Sequence, residues 1–179
     1  MKPHALDLFC GLGGWTDGLK AAGYYTIGLD IERRAAYQGD EFIEANALIW
    51  DGSPLRGSID LMVASPPCDE FSPWRMPWCR KRGLKEPSLA LVEAAYRIRD
   101  EIQPRVFLLE NVREAQRWLG PAILYREPFY FWGDAVLIPR IVRRRSKESY
   151  SGSQRAERAR IPFALSFGIA SAVAASWRR

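Results

Sequence analysis

The chain has 179 residues, 47% of them hydrophobic and 26% charged, and a net charge of +5. This length and composition predict one globular domain over residues 1–179, without a second domain of similar size. No apolar run approaches the roughly 18 residues of a membrane span, and we expect no signal peptide because the first residues lead directly into strand-like sequence.

Strand-like and helix-like segments alternate along the chain, which is the pattern of a mostly parallel α/β sheet. We predict strands at residues 5–9, 25–30, 41–45, 59–64 and 106–109. Helices are predicted at residues 15–22, 87–102 and 161–177, and the second opens at Pro87 and stops before Pro104. Residues 129–132 and 135–141 are predicted to form a terminal antiparallel pair, and residues 147–154 a polar loop.

A glycine-rich turn follows the first predicted strand, in the stretch Asp-Leu-Phe-Cys-Gly-Leu-Gly-Gly of residues 7–14. Glycines there let the backbone approach a ligand closely and direct amide groups toward it, although such turns also serve packing alone. Asp30 ends the second strand about twenty residues later, where a carboxylate can hold ribose hydroxyls. The two features predict an adenosine-containing ligand. The absence of both a GxGxxG spacing and a Walker lysine argues against dinucleotides and triphosphates.

Cys68 follows two prolines after the fourth predicted strand. Proline fixes its own φ and disfavours a helical predecessor, so we expect the thiol on a stiff, extended turn suited to presenting a nucleophile. Glu110, Asn111 and Val112 directly follow the fifth predicted strand. A small buried cysteine and an acid that caps a helix are the structural alternatives. Together the two segments predict a nucleophile and a proton donor that face one cleft.

Arginine dominates the basic residues, with 21 of the 26, and they cluster at residues 75–85 and 140–160. The planar guanidinium suits phosphates and base edges, so this bias favours a nucleic-acid partner. A merely solvated basic face is the alternative for either cluster alone. The first cluster is interleaved with Trp74 and Trp78, which favours the nucleic-acid interpretation.

In their order and spacing, the glycine turn, the segment that ends in Asp30, Ser-Pro-Pro-Cys and Glu-Asn-Val resemble the DNA cytosine-5 methyltransferases. The resemblance runs from about residue 5 to residue 112 and is strongest to compact phage and prophage forms. It implies the Rossmann-like fold of S-adenosylmethionine-dependent methyltransferases, a mostly parallel α/β sheet with a terminal antiparallel pair. It also implies methyl transfer from S-adenosylmethionine to carbon 5 of cytosine in DNA, through a covalent cysteine adduct at carbon 6.

The resemblance assigns roles to individual residues. Cys68 is the nucleophile, Glu110 hydrogen-bonds or protonates ring nitrogen 3, and Asn111 helps to hold that loop. The residues expected to bind S-adenosylmethionine are Phe9, Gly11, Leu12, Gly13, Gly14, Asp30, Ile31, Asn46, Ala47 and Pro67. The target base must leave the duplex. The residues expected to hold the opened DNA are Trp74, Arg75, Trp78, Arg80 and Arg158.

Departures from the family pattern concern activity and target choice. Asp69 and Glu70 follow the cysteine where glutamine is common, and their charges are expected to disfavour the thiolate unless Arg75 or a neighbour offsets them. The Gln-x-Arg-x-Arg motif is reduced to Gln154 and Arg158. There is no room for a full target-recognition domain, so residues 118–160 are expected to be a reduced substitute. Selectivity is then short, weak or supplied by a separate specificity protein.

Two other functions stay open on the sequence. A tRNA cytosine-5 methyltransferase shares the same motifs, and a non-catalytic nucleic-acid-binding module can keep the cofactor fold. Retention of Cys68, Glu110 and Asn111 together argues against the second. Three cysteines and one histidine without metal-ligand spacing predict no metal site. We expect the cytoplasm of a bacterium or of a phage-infected host cell as the location.

Overall fold

The computed structural model describes residues 2–75, 85–135 and 160–177, with only the backbone of Arg75. Seven strands form one sheet: β1 (His4–Leu8), β2 (Tyr25–Asp30), β3 (Glu41–Glu44), β4 (Leu61–Ala64), β5 (Val106–Asn111), β6 (Leu124–Arg126) and β7 (Phe129–Gly133). The described residues also form four α-helices: α1 (Gly14–Ala21), α2 (Ala90–Ile102), α3 (Gln116–Leu119) and α4 (Phe163–Ser176).

The sheet has the strand order β3-β2-β1-β4-β5-β7-β6. Strands β1 to β5 run parallel, whereas β7 is antiparallel to both β5 and β6. The predicted mostly parallel sheet with an antiparallel pair is therefore confirmed. The chain leaves β1 toward one edge and later continues from β4 toward the other, so the strand order reverses between these two strands. Open α/β sheets bind their ligands at such a switch point.

Two predictions about strands need correction. Glu110 and Asn111 are the last two residues of β5 and do not follow it. They are paired with Phe131 and Tyr130 of β7, and this antiparallel pairing extends the strand beyond its apolar run. The strand that pairs antiparallel with β7 on the side away from β5 is β6, which was not predicted from the sequence. Ala135 is the last described residue before a gap, so the rest of the strand predicted at residues 135–141 lies outside the described residues. The loop predicted at residues 147–154 also lies outside them.

The two faces of the sheet are covered by different helices. Helix α2 buries an amphipathic stripe against one face, through Val92, Ala95, Ile98 and Ile102. Helices α1 and α4 cover the other face, where a Cβ on Gly18 of α1 would lie 2.3 Å from the backbone nitrogen of Phe167. Only glycine permits this approach of the two helices. None of the described helices combines the length and the apolar character needed to span a membrane.

Candidate active site

The carboxyl ends of β1, β2, β4 and β5 bring the predicted site residues to one edge of the sheet. The glycine turn leaves β1, Asp30 ends β2, the Cys68 turn leaves β4, and Glu110 and Asn111 end β5. Parallel strands place their carboxyl ends together, so segments far apart in sequence become neighbours. The topology thus brings the four predicted segments together at the carboxyl ends of the parallel strands.

The turn that carries Cys68 is fixed to its neighbours by backbone and side-chain hydrogen bonds. The Asn111 side-chain amide donates to the Pro66 carbonyl oxygen at 3.0 Å, and its own Oδ1 accepts from the Val112 amide at 2.8 Å. Pro67 is extended, at φ −45° and ψ 127°, and Cys68 opens a short 3-10 turn over Cys68–Glu70. Asn111 therefore connects the end of β5 to the segment immediately before the thiol.

The Cys68 thiol is partly buried, and its pKa is raised above the usual value. Burial is the largest cause, and the nearby carboxylates of Asp69 and Glu110 act in the same direction. A hydrogen bond from the Ser72 hydroxyl acts the other way, because it stabilises the thiolate. Glu70 instead accepts a hydrogen bond from the Ser88 amide at 3.3 Å. The offsetting neighbour among the described side chains is thus a serine.

The Glu110 carboxyl is 8% exposed, at the end of a buried strand. Burial raises the pKa of Glu110 to about 7, and a hydrogen bond from the Ser65 side chain partly opposes this rise. A carboxyl that titrates near neutral pH is protonated in a large fraction of molecules and can donate a proton to a base. Glu110 therefore has the protonation behaviour of a general acid.

The glycine turn and Asp30 form the second half of the site. Phe9 has a positive φ of 63°, as does Gly11 at 49°, and these residues turn the chain sharply away from β1. The two carboxylate oxygens of Asp30 accept from the amides of Gly11 at 2.9 Å and Ile31 at 2.8 Å. Each oxygen retains a further lone pair for a ligand hydroxyl. Ile31 is 68% exposed, so its apolar side chain is available to pack against a planar ring of a ligand.

The other predicted cofactor residues include residues of the glycine turn and Asn46, which lies in the segment after β3. Gly13 caps α1 with φ 78°, next to Leu12, whereas a Cβ on Gly14 would lie 2.7 Å from the backbone nitrogen of Ile161. Gly14 therefore serves close packing against the segment that enters α4. Asn46 uses its side-chain oxygen within its own turn, accepting from the Leu48 amide at 3.0 Å.

A buried carboxyl that sequence reasoning did not single out lies on β1 below the glycine turn. Asp7 is 1% exposed, and its Oδ2 accepts from the amide and hydroxyl of Thr16 at 3.0 Å and 2.7 Å. Burial raises the pKa of Asp7 to about 7. Its Oδ1 is buried without a hydrogen-bond partner among the described residues. The sequence signal that could have identified Asp7 is an aspartate inside an otherwise apolar strand.

The predicted DNA-binding residues are only partly described. Trp74 packs against Trp118 of α3 at 5.2 Å between ring centroids, and the Arg117 guanidinium lies 4.7 Å from the Trp74 ring. These contacts fix the segment after Cys68 to α3. The side chain of Arg75 and all of Trp78, Arg80 and Arg158 lie outside the described residues. Within the described ranges, no group of three or more metal-ligating side chains is present.

Comparisons with known proteins agree with this geometry. The model of the C-5 cytosine-specific DNA methylase family matches residues 4–117. The chain is 26% identical over 132 residues to the type II methyltransferase M.AquIA of Picosynechococcus sp., over 66% of this chain and 52% of that one. It is 34% identical over 126 residues to the type II methyltransferase M.AluI of Cellulosimicrobium cellulans, over 63% of this chain and 23% of that one. The chain thus spans about half the length of the first relative and less of the second.

A solved structure extends the likeness to the fold. The crystal structure of a protein described as a DNA modification methyltransferase encoded within an E. coli prophage has a TM-score of 0.50. Its sequence is 22% identical, and the match covers 66% of this chain and 34% of that chain. At this identity the likeness concerns the fold alone, which is the Rossmann-like methyltransferase sheet.

Proposed function

This chain belongs to the C-5 cytosine-specific DNA methylase family, and we propose that it transfers a methyl group from S-adenosylmethionine to carbon 5 of cytosine in DNA. One observation carries the proposal beyond family membership. Asn111 donates to the Pro66 carbonyl oxygen at 3.0 Å, so the end of β5, with Glu110, is held beside the turn that presents Cys68. A nucleophile and a proton donor are thereby held at one edge of the sheet.

In the proposed reaction, the Cys68 sulfur forms a bond to carbon 6 of a flipped cytosine while Glu110 gives its proton to ring nitrogen 3. The near-neutral pKa of Glu110 allows this transfer at physiological pH. Carbon 5 then carries the electron density that its methylation requires. A base then removes the carbon 5 proton, the sulfur departs as the thiolate that attacked, and the proton on ring nitrogen 3 returns to the Glu110 carboxylate, so that both residues regain their starting states. Asn111 acts by holding the Cys68 turn in place.

The residues around the glycine turn fit S-adenosylmethionine, which supplies an electrophilic methyl group when bound. Asp30 has carboxylate lone pairs free for ribose hydroxyls, and the exposed Ile31 side chain follows it directly. The Asp7 Oδ1, which has no hydrogen-bond partner among the described residues, is suited to a positively charged ligand at this edge. We propose that Phe9, Gly11 and Gly13 shape the turn against the cofactor, with Leu12, Asn46, Ala47 and Pro67 around it.

We further propose that residues 1–179 act as one catalytic domain and that residues 118–160 are a reduced target-recognition region. Hairpin β6–β7 belongs to this region and is paired with the end of β5, next to Glu110. Weak intrinsic selectivity would leave room for a separate specificity protein. Bisulfite mapping of random duplexes methylated by the chain alone tests this, because a long, well-defined recognition sequence would remove the need for such a partner.

The decisive experiment is transfer of a tritiated methyl group from S-adenosylmethionine to varied duplex DNA. We expect incorporation by the wild-type chain and none by the Cys68→Ala variant, whose folding is checked by circular dichroism. Duplexes that contain 5-fluorocytosine should trap a denaturation-resistant complex only when Cys68 is present. If no methyl group is transferred to any DNA, the proposal is contradicted. The same assay with tRNA as substrate distinguishes the alternative, because transfer to tRNA and not to DNA would identify the chain as an RNA methyltransferase.

A further inference from the structure

Ser65 and Glu110 occupy neighbouring positions on adjacent strands. Strands β4 and β5 are parallel and pair Ala64 with Leu109, so the next residue of each segment, Ser65 and Glu110, lies side by side on the same face. The Ser65 side chain, in this neighbouring position, acts as a hydrogen-bond donor that lowers the pKa of the Glu110 carboxyl. This contact involves the serine of the Ser-Pro-Pro-Cys motif, three residues before the thiol.

Trp15 of α1 holds the same serine from the other side. Its indole Nε1–H donates to the Ser65 hydroxyl oxygen at 2.9 Å, and the Trp15 side chain is 2% exposed. The indole ring also packs edge-on against Phe131, with ring centroids 6.2 Å apart. Phe131 is the residue of β7 that pairs with Glu110. Trp15 therefore contacts two of the immediate neighbours of Glu110.

The direction of these hydrogen bonds follows from the donor and acceptor capacity of each group. The indole nitrogen can only donate, so Ser65 must accept from Trp15 through its oxygen. The single hydroxyl hydrogen of Ser65 then remains available to the Glu110 carboxylate. A hydroxyl that accepts one hydrogen bond is a stronger donor in the next, particularly where water is excluded.

We propose that Trp15 and Ser65 are positioning residues for Glu110, joined to its carboxyl by a hydrogen-bonded relay that fixes its orientation and its readiness to give up a proton. The proposal deepens the proposed function and rests on it, because Glu110 is there the proton donor to the cytosine ring. The relay favours the carboxylate and so opposes the effect of burial on the pKa of Glu110.

The other groups around Glu110 bear on its titration. The Cys68 thiol, on the turn after β4, is a titratable neighbour whose pKa is raised in part by the Glu110 carboxylate. The neighbouring side chains from α1 and β7 are uncharged. They are Trp15, which hydrogen-bonds to Ser65, and Phe131, which pairs with Glu110 across the strands. The Ser65 hydroxyl is accordingly the group to alter when the relay is tested.

The first test is a titration of free protein labelled with ¹³C at the glutamate carboxyl carbons, followed by NMR. The Glu110 signal is assigned by its loss in the Glu110→Gln variant. We expect Ser65→Ala to move the titration midpoint of Glu110 upward by about one pH unit, since a hydrogen bond to the charged form is lost. Trp15→Phe, which removes only the indole donor, should move it upward by a smaller amount.

Matched controls separate the relay from general loss of packing. Trp132→Phe removes an equally buried indole whose Nε1–H donates to the Gly120 carbonyl oxygen at 3.0 Å, away from Ser65. It should leave the midpoint unchanged, and Ser65→Thr, which keeps a hydroxyl, should restore the wild-type value. If Ser65→Ala fails to fold, Trp15→Phe against Trp132→Phe decides the matter.

The outcome is independent of whether the chain methylates DNA, because the titration uses neither cofactor nor substrate. An unchanged midpoint in folded Ser65→Ala, or equal shifts in Trp15→Phe and Trp132→Phe, overturns the relay and leaves the proposed function standing. Where methyl transfer is measurable, the alkaline limb of its pH profile should move upward in Ser65→Ala, because the protonated form of Glu110 is the active one.

Discussion

Cys68 has neighbours that act on its thiolate in opposite directions. The Asp69 carboxylate raises the pKa of the thiol, and the Ser72 hydroxyl lowers it. We therefore expect Asp69→Asn to speed alkylation of Cys68 by iodoacetamide at pH 7.5 about twofold to threefold, and Ser72→Ala to slow it by a similar factor. Mass spectrometry of the peptide that contains Cys68 measures the rate separately from the other cysteines.

Glu70→Gln provides the control for this prediction. The Glu70 carboxylate accepts from the Ser88 amide and is not among the groups that shift the pKa of Cys68. Its loss should leave the alkylation rate within experimental error. Equal acceleration by Asp69→Asn and Glu70→Gln would show that net charge, and not the specific contact, governs the thiol.

At the scale of single residues, the sequence predicted the direction of the Asp69 effect but not the group that opposes it. Adjacent acids beside a thiol can be seen in any sequence. Ser72 reaches Cys68 only because a 3-10 turn begins at the cysteine, and Glu70 is directed to Ser88 for the same reason. Side-chain directions within a turn depend on backbone angles that residue types alone do not fix.

Helices α1 and α4 meet at a contact that admits no side chain. A Cβ on Gly18 would lie 2.2 Å from the Ser166 Oγ and 2.3 Å from the Phe167 backbone nitrogen. Because one of these neighbours is backbone, the helices must separate to accept a methyl group. We expect Gly18→Ala to lower the free energy of unfolding by about 1–3 kcal/mol, despite the better helix propensity of alanine. Urea denaturation followed by circular dichroism measures this change.

Ala21→Val tests whether the Gly18 effect comes from the contact. Ala21 is exposed at the end of the same helix, so its added methyl groups meet solvent, and the expected cost is about 0.5 kcal/mol or less from helix propensity. If Gly18→Ala is as stable as the wild-type chain, the close approach of α1 and α4 is not a constraint on the sequence.

At the scale of elements, the sequence predicted those whose signals are local. Apolar runs marked β2 and β4, and Pro104 marked the end of α2, although this helix begins at Ala90 and not at the predicted Pro87. The last two residues of β5 were missed because their strand conformation depends on pairing with β7, about twenty residues later in the chain. Strand β6 has three residues, none of them buried, and is too short to carry a periodic signal of its own.

At the scale of the whole molecule, the described residues include two buried carboxyls at the edge of the sheet that forms the site. Asp7 on β1 and Glu110 on β5 both have pKa values raised to about 7 by burial, from usual values of 3.8 and 4.5. At pH values between the ordinary pKa and the folded pKa of each group, the folded chain retains protons that the unfolded chain releases. Stability therefore falls as pH rises from about 4 to 7 and levels off above the folded pKa.

This linkage predicts that the chain is more stable at pH 5.5 than at pH 8. Each of the two carboxyls should contribute about 2 kcal/mol to the difference, since the free energy changes by about 1.4 kcal/mol for each pH unit below the folded pKa. Urea denaturation at both pH values measures it. In the Asp7→Asn, Glu110→Gln double variant neither side chain titrates, so most of the difference should disappear. A wild-type chain that is equally stable at both pH values, or more stable at pH 8, would show that these carboxyls stay ionised in the folded protein.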